Sequence, residues 1–235
     1  MDIQVFIMHN LIDLLEQKHL VWRGRDKKTV ADLAGFSSKS GYATLDEKLE
    51  GGLPQCGVVS LSSTCGIGEL RLLIPTMLSK KRLHVFINPP GYLSAEFLHH
   101  QGFDLNLIFV INTKQKNDAL WSAEQCLKSG ACSTVLLWQN HIEVHQVKRL
   151  QLASENGACL QFLLRSTQRS NFSLPVTLSM ELAPHHLGIE TTITKRKGGW
   201  PLQAFTVDMS AYWPSLTQRP PDNLIPFPTV KASNS

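Results

Sequence analysis

The sequence predicts an α/β fold with three layers, in which helices cover both faces of a mainly parallel β-sheet. From Gly57 onward, short apolar runs typical of strands alternate with longer segments of helical periodicity. A glycine follows three of these helical segments, where a left-handed residue commonly ends a helix. Apolar strands that alternate with helices are typical of a parallel sheet buried on both faces.

Five strands and four helices account for this pattern. The predicted strands are Val58–Leu61, Leu83–Ile87, Leu107–Ile111, Thr134–Trp138 and Cys159–Leu164, and the predicted helices span 68–80, 94–101, 117–129 and 143–156. The terminating glycines are Gly102, Gly130 and Gly157. Pro75 lies inside the first helix and is expected to kink or shorten it.

The segments on either side of this α/β region have different patterns of apolar and polar residues. Residues 1–40 contain an amphipathic helix over 2–19 and then a polar, basic linker, whereas 41–209 form the main domain. Within that domain, 174–209 hold three more strands, at Val176–Leu182, Leu187–Thr194 and Leu202–Val207, which we expect to extend the sheet as an antiparallel edge or meander. Residues 210–235 carry five of the twelve prolines and are expected to be a flexible tail.

Composition excludes several classes of protein. Hydrophobic residues make up 43% of the 235 and charged residues only 18%, which indicates a folded chain with a sizeable core. The net charge of +4 is too small to indicate a dedicated nucleic-acid binder, so DNA contact is expected to be weak or indirect. Five cysteines without a C-x-x-C pair favour reduced thiols over disulfides or zinc. Since neither a signal peptide nor a membrane-spanning run is found, we expect a cytoplasmic protein with no membrane partner.

The most informative segment is 45–73, which has the order strand, glycine-containing loop and helix that nucleotide-binding P-loops use. A working loop reads G-x-x-x-x-G-K-[ST], in which the lysine neutralises phosphate charge and the hydroxyl binds Mg²⁺. Here Gly66 and Gly68 are followed by Glu69 at the lysine position and Leu70 at the hydroxyl position. A carboxylate repels phosphate oxygens and leucine cannot ligate a metal, so the loop is a degenerate P-loop.

The other half of an ATP site is also absent from the sequence. The strand that ends in Trp138-Gln139 has no carboxylate where an Mg²⁺-binding aspartate would stand. We therefore expect no catalytic residues, no cofactor and no ATPase activity. Gly66 and Gly68 are interpreted as structural residues, at which a β-carbon would clash in a tight turn.

These motifs resemble the ImuA family of bacterial SOS mutagenesis proteins. The resemblance runs over about residues 19–200 and is carried by HLVWRGR (19–25), SGYATLDEKLEGGLP (40–54), GIGELRLLIP (66–75), NPPGY (88–92), ALWSAEQCLKSGAC (119–132), VKRLQLASENGA (147–158) and ITKRKGG (193–199). It implies a RecA-like fold without a nucleotide site. It also implies a non-catalytic accessory role in translesion DNA synthesis, with an ImuB-like Y-family protein, an error-prone polymerase subunit and RecA as partners.

The block from Gly57 to Arg165 also resembles SulA, the SOS inhibitor of cell division that binds FtsZ. SulA is shorter and lacks both LDEKLEGGLP and ITKRKGG, which are present here. The sequence motifs therefore favour ImuA, with a SulA-like division inhibitor as the alternative.

Two further groups of residues are predicted to contact partners. The first is the basic run Lys195, Arg196 and Lys197, which suits phosphate or an acidic surface if it is not simply a solvated strand end. The second is the apolar set Leu224, Ile225 and Phe227 in the proline-rich tail. Glu124, beside Trp121 on a helix, is expected to cap, to pair with a base or to be solvated. His141 and His145 have no third ligand nearby, so no metal site is predicted.

Overall fold

The computed structural model describes residues 37–64, 66–166 and 174–214, which fall in one compact unit running from Phe36 to the C-terminus. The helix predicted over 2–19, the linker that follows it, and the tail set Leu224, Ile225 and Phe227 lie outside the described residues. The unit thus contains the whole of the predicted main domain.

Ten strands and five α-helices are described. The strands are β1 (Ser37–Ser38), β2 (Leu53–Pro54), β3 (Gly57–Ser63), β4 (Leu83–Ile87), β5 (Ile108–Ile111), β6 (Cys132–Trp138), β7 (Leu160–Ser166), β8 (Leu178–His185), β9 (Gly188–Arg196) and β10 (Leu202–Asp208). The helices are α1 (Ala43–Lys48), α2 (Glu69–Leu78), α3 (Ala95–His100), α4 (Lys116–Lys128) and α5 (Val144–Asn156), with a 3₁₀ turn at Leu105–Leu107.

Eight of the strands form one sheet in the order β10-β9-β8-β3-β7-β6-β4-β5. The six strands from β8 to β5 are parallel, and β9 and β10 continue the sheet in antiparallel fashion. The sequence correctly predicts a mainly parallel sheet with antiparallel C-terminal strands. It does not predict that β8 joins β3 in parallel, because the local pattern of apolar residues does not specify strand direction.

Helices cover the sheet on both faces, as the periodicity predicts. One core cluster packs α1, α2 and α3 against alternate residues of the strands, including Leu61, Phe86 and Phe162. The other packs α4 and α5 against the intervening residues, such as Val58 and Leu163. Since strand side chains alternate between the two faces, a central strand with layers on both sides is buried at successive positions, as β3 is along nearly all its length, including Ser60 and Ser63.

Local signals fix where the helices begin and end. Ser94 caps α3 by accepting a hydrogen bond from the Phe97 N–H at 3.1 Å, and Glu143 with Gln146 forms a capping box before α5. Pro75 lies within α2, which is ten residues long and therefore shorter than the predicted helix over 68–80. Gly157 is required for its lack of a side chain and not for the predicted left-handed backbone angle. Its φ is −91°, and an added β-carbon would lie 1.8 Å from the Leu127 carbonyl oxygen.

The chain stays packed beyond β10, further than the predicted boundary of the tail at residue 210. Trp213 is buried, and its indole N–H donates to the Tyr42 hydroxyl at 3.2 Å, which in turn donates to the Arg71 carbonyl at 2.8 Å. The Trp213 ring also stacks on Phe97 with centroids 6.0 Å apart. Residues 209–213 therefore close the face that α1, α2 and α3 cover.

None of the helices within the described ranges has the length and apolar character needed to cross a membrane.

Candidate functional site: the loop after the central strand and the surfaces around it

The loop of residues 63–69 joins the central strand β3 to the start of α2. β3 lies between β7 and β8 in the interior of the sheet, so the loop emerges at the carboxyl edge of the parallel strands. In open α/β sheets this edge is where ligands bind. The loop that the sequence analysis compares with a P-loop therefore lies at the edge of the sheet where ligands bind in other α/β proteins.

The Glu69 carboxylate folds back into this loop and occupies its backbone donors. One carboxylate oxygen accepts a hydrogen bond from the Gly66 N–H at 3.3 Å, and the other accepts from the Gly68 N–H at 3.1 Å. The residue is only 6% exposed and is the first residue of α2, where the helix dipole favours a negative charge. The N–H groups that would receive a phosphate in a working loop are therefore bonded to the protein's own anion.

Gly66 and Gly68 are required for their backbone angles and not for lack of space. Their φ angles are 87° and 100°, a left-handed region that residues with a β-carbon seldom adopt. The predicted steric clash is wrong at both positions. A β-carbon on Gly66 would meet no heavy atom within 4 Å, and one on Gly68 would lie 3.4 Å from the Arg71 guanidinium. The left-handed angles turn both N–H groups toward Glu69.

The positions that would bind Mg²⁺ are filled by residues without that chemistry. Leu70 is partly buried against the core cluster beneath α2. At the end of β6, Gln139 is buried and its side-chain amide donates to the His141 carbonyl at 3.1 Å. Both residues stabilise the fold locally, and neither presents a carboxylate or hydroxyl to the loop.

The three residues of the predicted basic run, Lys195, Arg196 and Lys197, are each held by a different part of the protein. The Lys195 ammonium donates to the Leu174 carbonyl at 2.6 Å. Arg196 lies 3.2 Å from Glu50 and is largely buried, whereas Lys197 lies 3.7 Å from Glu155. The run therefore ties β9 to its neighbours, and a continuous positive rim would require these internal bonds to break. Its predicted role in partner contact stays a prediction.

The histidines singled out in the sequence are on the surface. His145 lies 3.1 Å from Glu143, and both side chains are mostly exposed. Within the described ranges, no three His, Cys, Asp or Glu side chains come close enough to hold a metal ion.

A surface groove between α4 and α5 is the feature that the sequence did not identify. At its floor, Glu124 bonds to Lys128 on its own helix and to Arg149 on α5, which confirms the pairing alternative for this carboxylate. The Lys128 hydrogen bond and the nearby guanidinium hold the pKa of Glu124 below its usual range, against the opposing effect of burial. The indole of Trp121 stands exposed beside this pair. Helical spacing could place Trp121 and Glu124 together, but the partner on α5 depends on packing.

Comparisons with known proteins find sequence similarity in the centre of the chain. A family profile described as SulA, a cell division inhibitor, matches residues 65–161, which is less than half of the 235 residues. The cell division inhibitor SulA of Photorhabdus laumondii is 29% identical over 98 residues, which cover 40% of this chain and 55% of the relative. The chain thus spans about half the length of the curated relative that it matches.

A solved structure of a SulA protein also matches this chain. The crystal structure of SulA from Pseudomonas aeruginosa is 28% identical in sequence, covers 46% of this chain and 98% of its own, and superposes with a TM-score of 0.39. The family match contains the Gly66–Leu70 loop, α4 and α5, whereas β1 to β3 and β8 to β10 lie outside it. The central part of this chain is therefore similar in sequence to SulA-type division inhibitors.

Proposed function

We propose that the protein is a non-enzymatic inhibitor of cell division that acts in the SOS response by binding FtsZ in the cytoplasm. The observation that carries the proposal is the similarity of residues 65–161 to SulA, whose described role is inhibition of cell division. This is the alternative that the sequence motifs left open. The comparisons favour it over the mutagenesis accessory role.

The geometry of the loop supports a protein that acts without a nucleotide. The donors of Gly66 and Gly68 are bonded to Glu69, so ATP would have to displace a buried carboxylate and then face its repulsion. Leu70 and Gln139 offer no magnesium ligand. We interpret the domain as a RecA-like framework with a degenerate P-loop, in which the fold is kept for the surfaces it presents.

A second candidate is the ImuA-type accessory role with an ImuB-like protein and an error-prone polymerase. The observation that favours it is the structure outside the SulA match. Strand β8 pairs with the central strand β3, and Tyr42, Leu45 and Leu53 are buried in the main core. These flanking segments are part of the packed domain. This is expected for an ImuA-type protein, because the resemblance to ImuA includes the segments outside the SulA match.

Overproduction in a host with intact division separates the two candidates. A division inhibitor is expected to give long cells without septa, which divide again when FtsZ is co-produced. Normal cell length would refute the inhibitor proposal. A loss of DNA-damage-induced mutation on deletion of the gene, with no change in cell length, would support the accessory role.

A further inference from the structure

The outer surfaces of α4 and α5 enclose an open groove in the part of the chain that matches SulA. The two helices pack side by side over the same face of the sheet, and a cavity of about 200 Å³ lies between their exposed sides. The groove is lined by Asn117, Leu120, Trp121, His145, Gln146 and Arg149, with Glu124 and Leu150 beneath them.

An ion-pair network makes the floor of the groove rigid. Glu124 has one tenth of its side chain exposed and bonds to Lys128 at 2.6 Å and to the Arg149 guanidinium. The Arg149 side chain is nevertheless 63% exposed, so the bond to Glu124 fixes its position while most of it still faces solvent. A fixed, exposed guanidinium loses little conformational entropy when it binds a second carboxylate.

The wall of the groove carries an exposed tryptophan. Trp121 is 62% exposed, although the indole is among the largest apolar surfaces that a side chain offers. Leu120 and Leu150 extend this apolar surface into the groove. Tryptophan and arginine are the residue types most enriched among the side chains that dominate binding at protein interfaces. Here they lie next to each other on two rigid helices.

The charges around the groove favour a partner of negative charge. Lys128 and Arg149 supply two cations against the single buried carboxylate of Glu124. The carboxylate of Glu143 faces His145 at 3.1 Å at one end. A ligand carboxylate near Arg149 would therefore meet an excess of positive charge beside an apolar wall.

We propose that the groove between α4 and α5 binds an acidic segment of a partner protein, which inserts an apolar side chain against Trp121 and places a carboxylate on Arg149. The inference rests on the proposed function, because it assigns the surface through which a non-enzymatic protein binds its partner. It can be tested without knowing which partner is correct.

Peptide selection with the full-length protein tests the groove directly. A random dodecapeptide library is selected against the parent chain, and the enriched peptides are titrated against Trp121→Ala and against Trp200→Ala as a matched control. Trp200 is 85% exposed on the turn before β10, far along the sheet from α4. We expect the peptides to combine Asp or Glu with a large apolar residue, and to lose at least about tenfold in affinity with Trp121→Ala but not with Trp200→Ala.

Three results would overturn the proposal: no enriched sequence, enriched sequences without acidic residues, or equal affinity for both variants. Circular dichroism and thermal melting of each variant establish that it is folded. Lys128→Met provides a second test, because it removes the cation that bonds to Glu124 beneath the groove and leaves Glu124 paired with Arg149. We expect it to weaken the acidic peptides several-fold.

Purified FtsZ, titrated against the same variants, separates this inference from the proposed function. If the parent does not bind FtsZ but the peptides require Trp121, then the groove is a binding site and the division-inhibitor proposal fails. If FtsZ binds the parent and Trp121→Ala equally, and the peptides do too, then the protein binds FtsZ through another surface and the groove proposal fails.

Discussion

Replacement of Glu69 by glutamine tests whether the carboxylate in the loop is a structural part of the protein. The side chain is buried at the start of α2, and its two oxygens accept from the Gly66 and Gly68 N–H groups. A glutamine in the same place can accept only one of these bonds, because its NH₂ group would face the second donor. If the Glu69 side chain made no contacts in the folded protein, the substitution would leave the stability unchanged, whereas the structure predicts a loss.

The magnitude follows from the two bonds. A hydrogen bond to a charged group contributes roughly 1.5–3 kcal/mol, and a buried donor without a partner costs roughly 1–3 kcal/mol. The 3.3 Å bond from Gly66 is at the long end of the range, which places its contribution at the lower limit. We therefore expect Glu69→Gln to lower the free energy of unfolding by about 1–2 kcal/mol, and Glu69→Ala by about 2–3 kcal/mol.

Urea unfolding at pH 7, followed by circular dichroism, measures this difference. Glu96→Gln is the matched control, because Glu96 also stands in the first turn of a helix but is exposed. That change removes only the helix-dipole contribution, roughly 0.3–1 kcal/mol. If Glu69→Gln costs no more than Glu96→Gln, then the loop does not depend on its internal carboxylate and the argument is wrong.

Four more predictions concern the core and the absent nucleotide. Gln161 is fully buried with both side-chain polar atoms unpaired, so Gln161→Met should stabilise the protein by roughly 1–3 kcal/mol in urea unfolding. The Thr191 hydroxyl is likewise buried without a partner, and Thr191→Val should raise the melting temperature, whereas a decrease would show that the hydroxyl is satisfied. Burial lowers the pKa of His84 from 6.5 to about 4, so between these pH values the unfolded chain binds a proton that the folded chain excludes. The free energy of unfolding should therefore fall as the pH drops from 6.5 toward 4, by about 3 kcal/mol in total. A His84→Leu, Thr134→Val double variant should lose this pH dependence. Calorimetric titration with millimolar ATP and Mg²⁺ should detect no binding, and micromolar affinity abolished by Glu69→Arg would contradict the loop geometry.

The layers of the fold could be predicted because they follow from patterns that are local in sequence. Strands such as β4 are buried on both faces and so are mainly apolar, with His84 as the polar exception in β4, and the observed bounds of β4 agree with the predicted ones. Two features could not be predicted in this way. The six-residue helix α1 is too short to show a clear period, and the direction of β8 is not specified by any local pattern in the sequence.

The chemistry of the loop could be predicted from sequence only as an absence. Positions 69 and 70 carry neither the lysine nor the hydroxyl of a working P-loop, but these residue types do not indicate where the Glu69 carboxylate lies. That depends on the left-handed angles of Gly66 and Gly68, which turn two N–H groups toward Glu69. The hydrogen-bond partners of Glu124 could likewise not be predicted in full, since one of its two cations, Arg149, is 25 residues away in the chain on another helix.

A loop that satisfies its own donors has a consequence for how the protein is controlled. In a nucleotide-dependent relative, the phosphate site couples ligand state to the conformation of nearby loops, and the protein can switch between partners. Here the anion at that site is covalently part of the chain, so it is present whenever the protein is folded. The groove between α4 and α5 is likewise held in shape by Glu124, Lys128 and Arg149 without any ligand. A partner that binds this groove would meet a surface that is already formed, at little cost in conformational entropy.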